Sequence, residues 1–324
     1  QRGKVTSRKK IRVAVIGVGY LGNFHAQKYA KIEGAELVGV TDADPGRADE
    51  VAAANGTKAF ASHAELLGNV DAVSIVTPTG SHYRIGMEFL QAGVDVLVEK
   101  PIANSVQEAG ELVRAAERGG RILQVGHLER FNGAMSALGD MVKAPSYIEA
   151  FRLSPFPNRS TDVDVVLDVM IHDIDLVLKL AGSEVAEVEA FGMPIVSDKF
   201  DLANARIRFK NGAVANITAN RASKERVRRI NVYQRDACIS IDYASQSIAV
   251  SRPTLDPATG LRPMVDEECV AEKKDALFEE LSSFIDSCAT RRPPVVSGVD
   301  GKKALEVAVM VQLAIKSGRT PQGR

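Results

Sequence analysis

The sequence predicts an α/β protein whose first half is a doubly wound parallel sheet and whose second half is richer in strands. Three observations predict it. Apolar β-branched runs alternate with helical patterns as far as residue 125. A glycine-rich turn follows the first of those runs. From about residue 128 the alternation gives way to strands of two-fold periodicity and one long, mostly apolar helix.

Ile11 to Ile16 reads as a strand buried on both faces, as in a parallel sheet. It runs into Gly17-Val18-Gly19-Tyr20-Leu21-Gly22 and then a helical pattern to about Ile32, so the GxGxxG spacing stands between strand and helix. In that setting Gly17 permits a tight turn, Gly19 lets a pyrophosphate approach the backbone, and Gly22 lets helix and strand pack closely. The free N–H groups of the helix start complete an anion site, with Tyr20 and Leu21 beside it. A second strand, Glu36 to Val40, ends at Asp42, about 20 residues past the last glycine, where a carboxylate hydrogen-bonds the adenosine ribose. A carboxylate there repels a 2′-phosphate and favours NAD over NADP, although Arg47 is close enough to serve a phosphate.

The alternation continues with a helix from Pro45 to Asn55 and a capping box at Ser62-His63-Ala64-Glu65 opening a short helix. Asp71 to Val76 is a strand, followed by Thr77-Pro78-Thr79-Gly80 and a helix to Ala92. Asp95 to Val98 is a fifth strand, Ser105 opens a helix through Arg118, and Arg121 to Val125 is a sixth strand. Ligands of such sheets bind at the strands' carboxyl ends, which are Thr77 to Thr79 with His82, and Glu99-Lys100-Pro101.

In the second half, strands are expected at Tyr147 to Leu153, Glu184 to Gly192, Arg226 to Tyr233, Cys238 to Asp242 and Ile248 to Ser251. Ala205 to Lys210 and Ala213 to Ala219 flank Asn211-Gly212, a type I′ hairpin signal. Asp275 to Ala289 and Val299 to Lys316 read as helices. The long helix runs from Asp164 to Ala181. At about 100° per residue, Asp164, Asp168, His172, Asp175 and Lys179 fall in one narrow arc and the rest is almost wholly apolar. Such a helix is buried on most sides and shows a single polar seam. Asp168 and His172, one turn apart, make that seam a candidate cleft wall. Asp173 points into the apolar arc and requires a buried partner.

Composition bounds the function. A chain of 324 residues suggests two domains, 1–127 and 128–324, and 41 basic against 41 acidic residues argue against a nucleic-acid binder working through bulk charge. Three scattered cysteines fit neither a disulfide framework nor a zinc site and point to a reducing compartment. The amino-terminal QRGKVTSRKK leads into a strand without an apolar signal segment, and no stretch is long enough to span a membrane, so a cytoplasmic chain is expected. No metal is expected either, because no second histidine or cysteine stands at ligand spacing from His172.

GxGxxG at 17–22, the acidic Asp42, Thr77-Pro78-Thr79 with His82, EKP at 99–101 and Asp168-xxx-His172 occur in an order that resembles the glucose-fructose oxidoreductase/inositol dehydrogenase/MocA family over nearly the whole chain. The resemblance implies a Rossmann domain followed by an α/β domain with an open, mainly antiparallel sheet whose outer face mediates homodimers or homotetramers. It implies that the last helix, 299–317, folds back towards the Rossmann domain. It also implies a nicotinamide cofactor exchanging hydride with a sugar-type hydroxyl, with Lys100, Asp168 and His172 as the catalytic set and Glu99 among the cofactor contacts.

The residues suit those roles on their own chemistry. A hydroxyl proton must leave as hydride does, and His172, with an ordinary pKa near 6.5, accepts it near neutral pH. Asp168 orients the ring, and Lys100 is a point charge for a developing alkoxide. The stretch Gly126-His127 to Arg130-Phe131-Asn132, with Phe156 to Thr161, most resembles members acting on nucleotide-linked amino sugars. That implies a UDP-N-acetylhexosamine oxidised at C3, touched by His127, Arg130, Asn158 and Arg159. Arg130, Arg152, Arg159 and Arg221 are equally readable as diphosphate ligands or as salt-bridge partners. An inositol or free-sugar dehydrogenase, and a non-catalytic dinucleotide sensor, remain the alternatives.

Overall fold

The computed structural model describes residues 9–156, 163–260 and 262–318. The chain divides into two compact units, one containing residues up to 128 and 276–302, the other 129–275 and 303 onward. The stretch 276–298, read from sequence as part of the second domain, is thus grouped with the first unit.

In the first unit six parallel strands, β1 (Ile11–Ile16), β2 (Ala35–Thr41), β3 (Lys58–Ala59), β4 (Ala72–Ile75), β5 (Asp95–Glu99) and β6 (Leu123–Gly126), lie in the order β3-β2-β1-β4-β5-β6. That is the order of a dinucleotide-binding sheet, reversing beside β1 at the point where ligands bind. The connections are α1 (Tyr20–Tyr29), α2 (Pro45–Ala54), α3 (His82–Gln91) and α4 (Val106–Gly119). α4 shows how local signals set boundaries: Ser105 accepts from the Glu108 N–H at 3.2 Å, and Gly120 closes the helix at φ 59°. The same signal misled at Ser62, whose side chain caps nothing, and only a short 3₁₀ turn, His63–Leu66, succeeds it.

The second unit carries an eight-stranded sheet. Its strands are β7 (Tyr147–Leu153), β8 (Val185–Met193), β9 (Leu202–Phe209), β10 (Val214–Asn220), β11 (Val227–Gln234), β12 (Ala237–Asp242), β13 (Ser247–Pro253) and β14 (Met264–Val270). They lie in the order β14-β13-β12-β11-β7-β10-β9-β8, antiparallel except for β7 beside β10. Along β7 the burial alternates, so Ile148, Ala150 and Arg152 face inward. They meet α5 (Gly133–Leu138) and α6 (Ile171–Ala181) over a core that includes Ile217, Ile230 and Ile239. The turn at Asn211-Gly212 is not type I′. Only Gly212 has positive φ, 90°, and Phe209 bonds Ala213 across a three-residue loop. The helices α7 (Ala276–Thr290) and α8 (Gly298–Lys316) complete the chain, α7 burying Leu281, Phe284 and Ile285 in the core of the first unit.

The long helix is the main departure from expectation. It is α-helical only from Ile171, and Val166–Met170 form a π-turn in which the Ile171 N–H donates to the Val166 carbonyl. Residues of an i→i+5 turn advance by less than 100° each, so the seam is not one straight arc. Asp164 leaves it altogether: its side chain caps the turn, accepting from the N–H groups of Val166 and Leu167 at 3.0 and 3.2 Å.

Candidate active site

In the first unit the glycine turn has the shape of an anion cradle. Gly17 takes φ 85°, and a Cβ there meets the Val76 carbonyl at 2.7 Å. A Cβ on Gly22 falls 1.9 Å from the Gly17 oxygen, so helix and turn touch backbone to backbone. Gly19 is the opposite case, with nothing within 4 Å of its Cβ position, and no side chain caps α1 there. The turn is closed where packing needs it and open where a pyrophosphate would approach. Gly22→Ala is therefore expected to weaken NAD binding by at least about 10-fold relative to the wild type, read by calorimetry.

Asp42 ends β2 with its carboxylate turned to this cradle. It accepts from the Val18 N–H at 2.6 Å and the Asp44 N–H at 3.0 Å. Arg47, expected as a phosphate contact, instead donates to the Val18 carbonyl at 2.9 Å and pairs with Glu50 at 2.7 Å. Tyr20 and Leu21 are exposed beside the turn.

At the ends of β4 and β5 the arrangement is tighter than the sequence implies. His82 is 1% exposed, with Nδ1 2.9 Å from the Pro101 carbonyl and Nε2 2.8 Å from the Thr77 carbonyl. It braces the Thr77-Pro78-Thr79 and Lys100-Pro101 segments against each other from below rather than facing solvent. Burial lowers its pKa and outweighs the two carbonyls, which act the other way. Ser81 donates to the Thr77 hydroxyl at 2.7 Å. Glu99 is also buried. One oxygen lies 3.3 Å from His25 Nε2, and the other accepts from the Lys100 N–H at 3.2 Å. Burial works against that charge, but His25 and Lys100 hold its pKa below the ordinary carboxylate value. In sequence His25 reads as a packing or surface residue; helical spacing alone does not reveal that it stands under Glu99. Lys100 is half-buried at the strand end, joined to Pro101 by a cis peptide, and His127 after β6 is buried at 1% exposure.

The second unit holds Asp168 on the π-turn and His172 on the first turn of α6, both half-buried. The partner that Asp173 requires is Arg152 of β7, a two-pronged pair at 2.8 and 2.9 Å, both side chains buried. Arg152 also donates to Glu129 at 2.8 Å. Arg130, expected to touch substrate, forks onto Asp175 at 2.6 and 2.7 Å with both side chains buried. Arg221 is fully buried against Asp201 at 2.9 Å. Three of the four arginines read as possible diphosphate ligands are thus committed to carboxylates, because a buried guanidinium must be paired. The fourth, Arg159, lies with Asn158 outside the described residues.

A parallel sheet in this strand order, with an open glycine cradle and an acidic residue after β2, has the form of a dinucleotide-binding domain. Residues 11–127 match the oxidoreductase family with an NAD-binding Rossmann fold, and residues 136–240 match the GFO/IDH/MocA C-terminal domain. The chain belongs to the Gfo/Idh/MocA family of NAD-dependent dehydrogenases acting on CH–OH groups. It is 41% identical over 308 residues, 95% of this chain and 98% of the relative, to a UDP-N-acetylglucosamine 3-dehydrogenase of Acidithiobacillus ferrooxidans. A solved structure of that enzyme superposes with a TM-score of 0.90 over 95% of this chain and 98% of the other. A myo-inositol 2-dehydrogenase of Thermotoga maritima is 28% identical, over 96% of this chain and 98% of the relative. A levoglucosan dehydrogenase solved with NADH and levoglucosan, 18% identical, shares the fold at a TM-score of 0.86 over 95% of this chain and 98% of the other. Among the described residues no helix is long and apolar enough to cross a membrane.

Proposed function

We propose that this enzyme oxidises the C3 hydroxyl of a UDP-linked N-acetylhexosamine with NAD. The observation that carries the reading is the end-to-end likeness to the UDP-N-acetylglucosamine 3-dehydrogenase, 41% identity over 95% of the chain. The inositol dehydrogenase is more distant, at 28%.

A nicotinamide dinucleotide, when bound, would supply the hydride acceptor. The chain's own residues manage the proton and the charge. As the carbinol C–H pair departs as hydride, the O–H bond releases its proton to the His172 imidazole, and the oxygen's lone pair closes the new C=O bond. Lys100 offsets negative charge on that oxygen before the bond is complete. Asp168 orients the imidazole and stabilises it once protonated. Gly17, Gly19, Tyr20, Leu21, Gly22 and Asp42 hold the dinucleotide, while Thr77, Pro78 and Thr79 line the end of β4. Glu99 and His82 support that floor from beneath, and Asn158 and Arg159 are retained as substrate contacts. The Asp42 carboxylate repels a 2′-phosphate, which makes NADP the poorer cofactor.

We assign the enzyme to the cytoplasm, as a homodimer or homotetramer built on the outer face of the eight-stranded sheet. On that face Tyr147 and Tyr233 both donate to Glu149, at 3.2 and 3.1 Å, an ordered aromatic surface.

The test is NADH formation with UDP-N-acetylglucosamine, UDP-N-acetylgalactosamine, myo-inositol and free hexoses at matched concentrations. The expected result is reduction of NAD with a UDP-N-acetylhexosamine alone. Turnover of inositols or hexoses with UDP-sugars inert overturns the assignment.

A further inference from the structure

The second unit spends two arginines on the helix that carries His172, and their placement has a consequence for the ring. Relative to His172, Asp173 stands about 100° round the helix on one side and Asp175 about 60° on the other. Arg152, from β7, grips Asp173 with both prongs at 2.8 and 2.9 Å. Arg130, from the 3₁₀ segment Leu128–Phe131, grips Asp175 at 2.6 and 2.7 Å. The helix is therefore held against rotation in either sense, with the His172 direction lying between the two grips. The preceding π-turn, Val166–Met170, departs from the i→i+4 pattern just before α6, so the direction of His172 cannot be read from the regular helical spacing of the residues before it.

The network is built rather than incidental. Glu129 receives Arg152 at 2.8 Å and lies 3.9 Å from Arg228, so the guanidinium is flanked by two carboxylates. Burial opposes its charge, and Asp173 and Glu129 outweigh that and hold its pKa above the ordinary value. A core needing only stability would gain as much from apolar side chains of the same volume, since buried ion pairs are about neutral against them. What two bidentate pairs add is orientation.

We propose that Arg152, through Asp173, is a positioning residue for the proton-exchange step, setting the direction in which the α6 helix presents His172. The inference rests on His172 being the base. Arg152, its guanidinium taken up by Asp173 and Glu129, acts on turnover through the helix rather than at the reacting atoms.

The experiment is a double-mutant comparison of the wild type, Arg152→Lys, His172→Ala and the combined variant, with kcat, KM for both substrates and thermal midpoint measured for each. Lysine keeps the charge and loses the fork. Arg152→Lys is expected to lower kcat by roughly 10–100-fold, the penalty of a misplaced group, with KM for NAD unchanged. In the His172→Ala background the same substitution is expected to change kcat by less than about 2-fold, because groups acting as one unit are not additive. An equal loss in both backgrounds overturns the proposal and makes Arg152 structural only. A fully active His172→Ala enzyme instead overturns the underlying assignment of the base. Should Arg152→Lys not fold, Arg152→Met with Asp173→Leu restores an uncharged, filled site. A folded double variant with wild-type kcat refutes the proposal, and one with kcat lowered at unchanged KM for NAD supports it.

Discussion

Replacing His172 by alanine is expected to lower kcat by about 10²–10⁴-fold, the usual contribution of a positioned general base. NAD binding should change little, because the dinucleotide is assigned to the glycine cradle and Asp42, whereas His172 is assigned to the carbinol proton. The two readouts separate the readings. An enzyme loses turnover and keeps the dinucleotide. A sensor that only binds NAD has no turnover to lose, and its wild-type chain stays inert with every sugar tested. Asp168→Asn is expected to cost less, since the imidazole remains and only its orientation and the stability of its protonated form are weakened. Single-turnover measurement of NADH with saturating sugar, beside calorimetric titration with NAD, decides the matter. A His172→Ala enzyme within a few-fold of wild type sinks the assignment of the base. So does one that no longer binds NAD, because the residue would then be holding the fold.

Much of the first unit was legible because its signals are local. Gly17, Gly22 and Gly120 are required by contacts or positive φ within a few residues of themselves, and such demands leave a mark in the sequence. β3, two residues at a sheet edge, leaves no such mark, and the highly charged β14 does not read as a strand because an edge position demands little burial. The seam helix shows in its apolar circumference, yet the π-turn does not, since about one extra residue per turn changes spacing without changing composition. The arginines were the least legible. Arg130, Arg152 and Arg221 look alike in sequence, and only long-range partners at 45, 21 and 20 residues' separation show that each serves a buried carboxylate. Asp173 is the exception, because a carboxylate placed inside an apolar arc implies a buried counter-charge, which Arg152 provides.

Asp201→Asn is expected to cost about 3–5 kcal/mol of stability at pH 7, the penalty for breaking a buried ion pair on one side. Asp201 and Arg221 are both fully buried, and the carboxylate is used on both oxygens. One accepts the N–H groups of Ile195, Val196 and Ser197 at 2.9, 2.7 and 2.8 Å. The other accepts the Ser197 hydroxyl at 2.7 Å and Arg221 Nε at 2.9 Å. An amide cannot satisfy this set, because its NH2 group faces donors whichever way it is turned, and Arg221 is left without a counter-charge. The same contacts set the pH dependence. Burial opposes the charge, but the three N–H groups and Ser197 outweigh it and hold the Asp201 pKa below the ordinary carboxylate range. A depressed folded-state pKa gives stability that is present above the unfolded value, about 3.9, and lost as pH falls towards the folded one. The gap between wild type and Asp201→Asn should therefore be level from pH 8 to about 5 and narrow below that, measured by urea denaturation at each pH. A gap under about 1 kcal/mol at pH 7, or one that widens in acid, would show that the loop between β8 and β9 does not depend on this pair. Since Arg221 also donates to the Val163 carbonyl at 2.8 Å, next to the cap residue of the π-turn, the loss should reach the base of the helix that carries His172, lowering kcat as well as stability if His172 is the base.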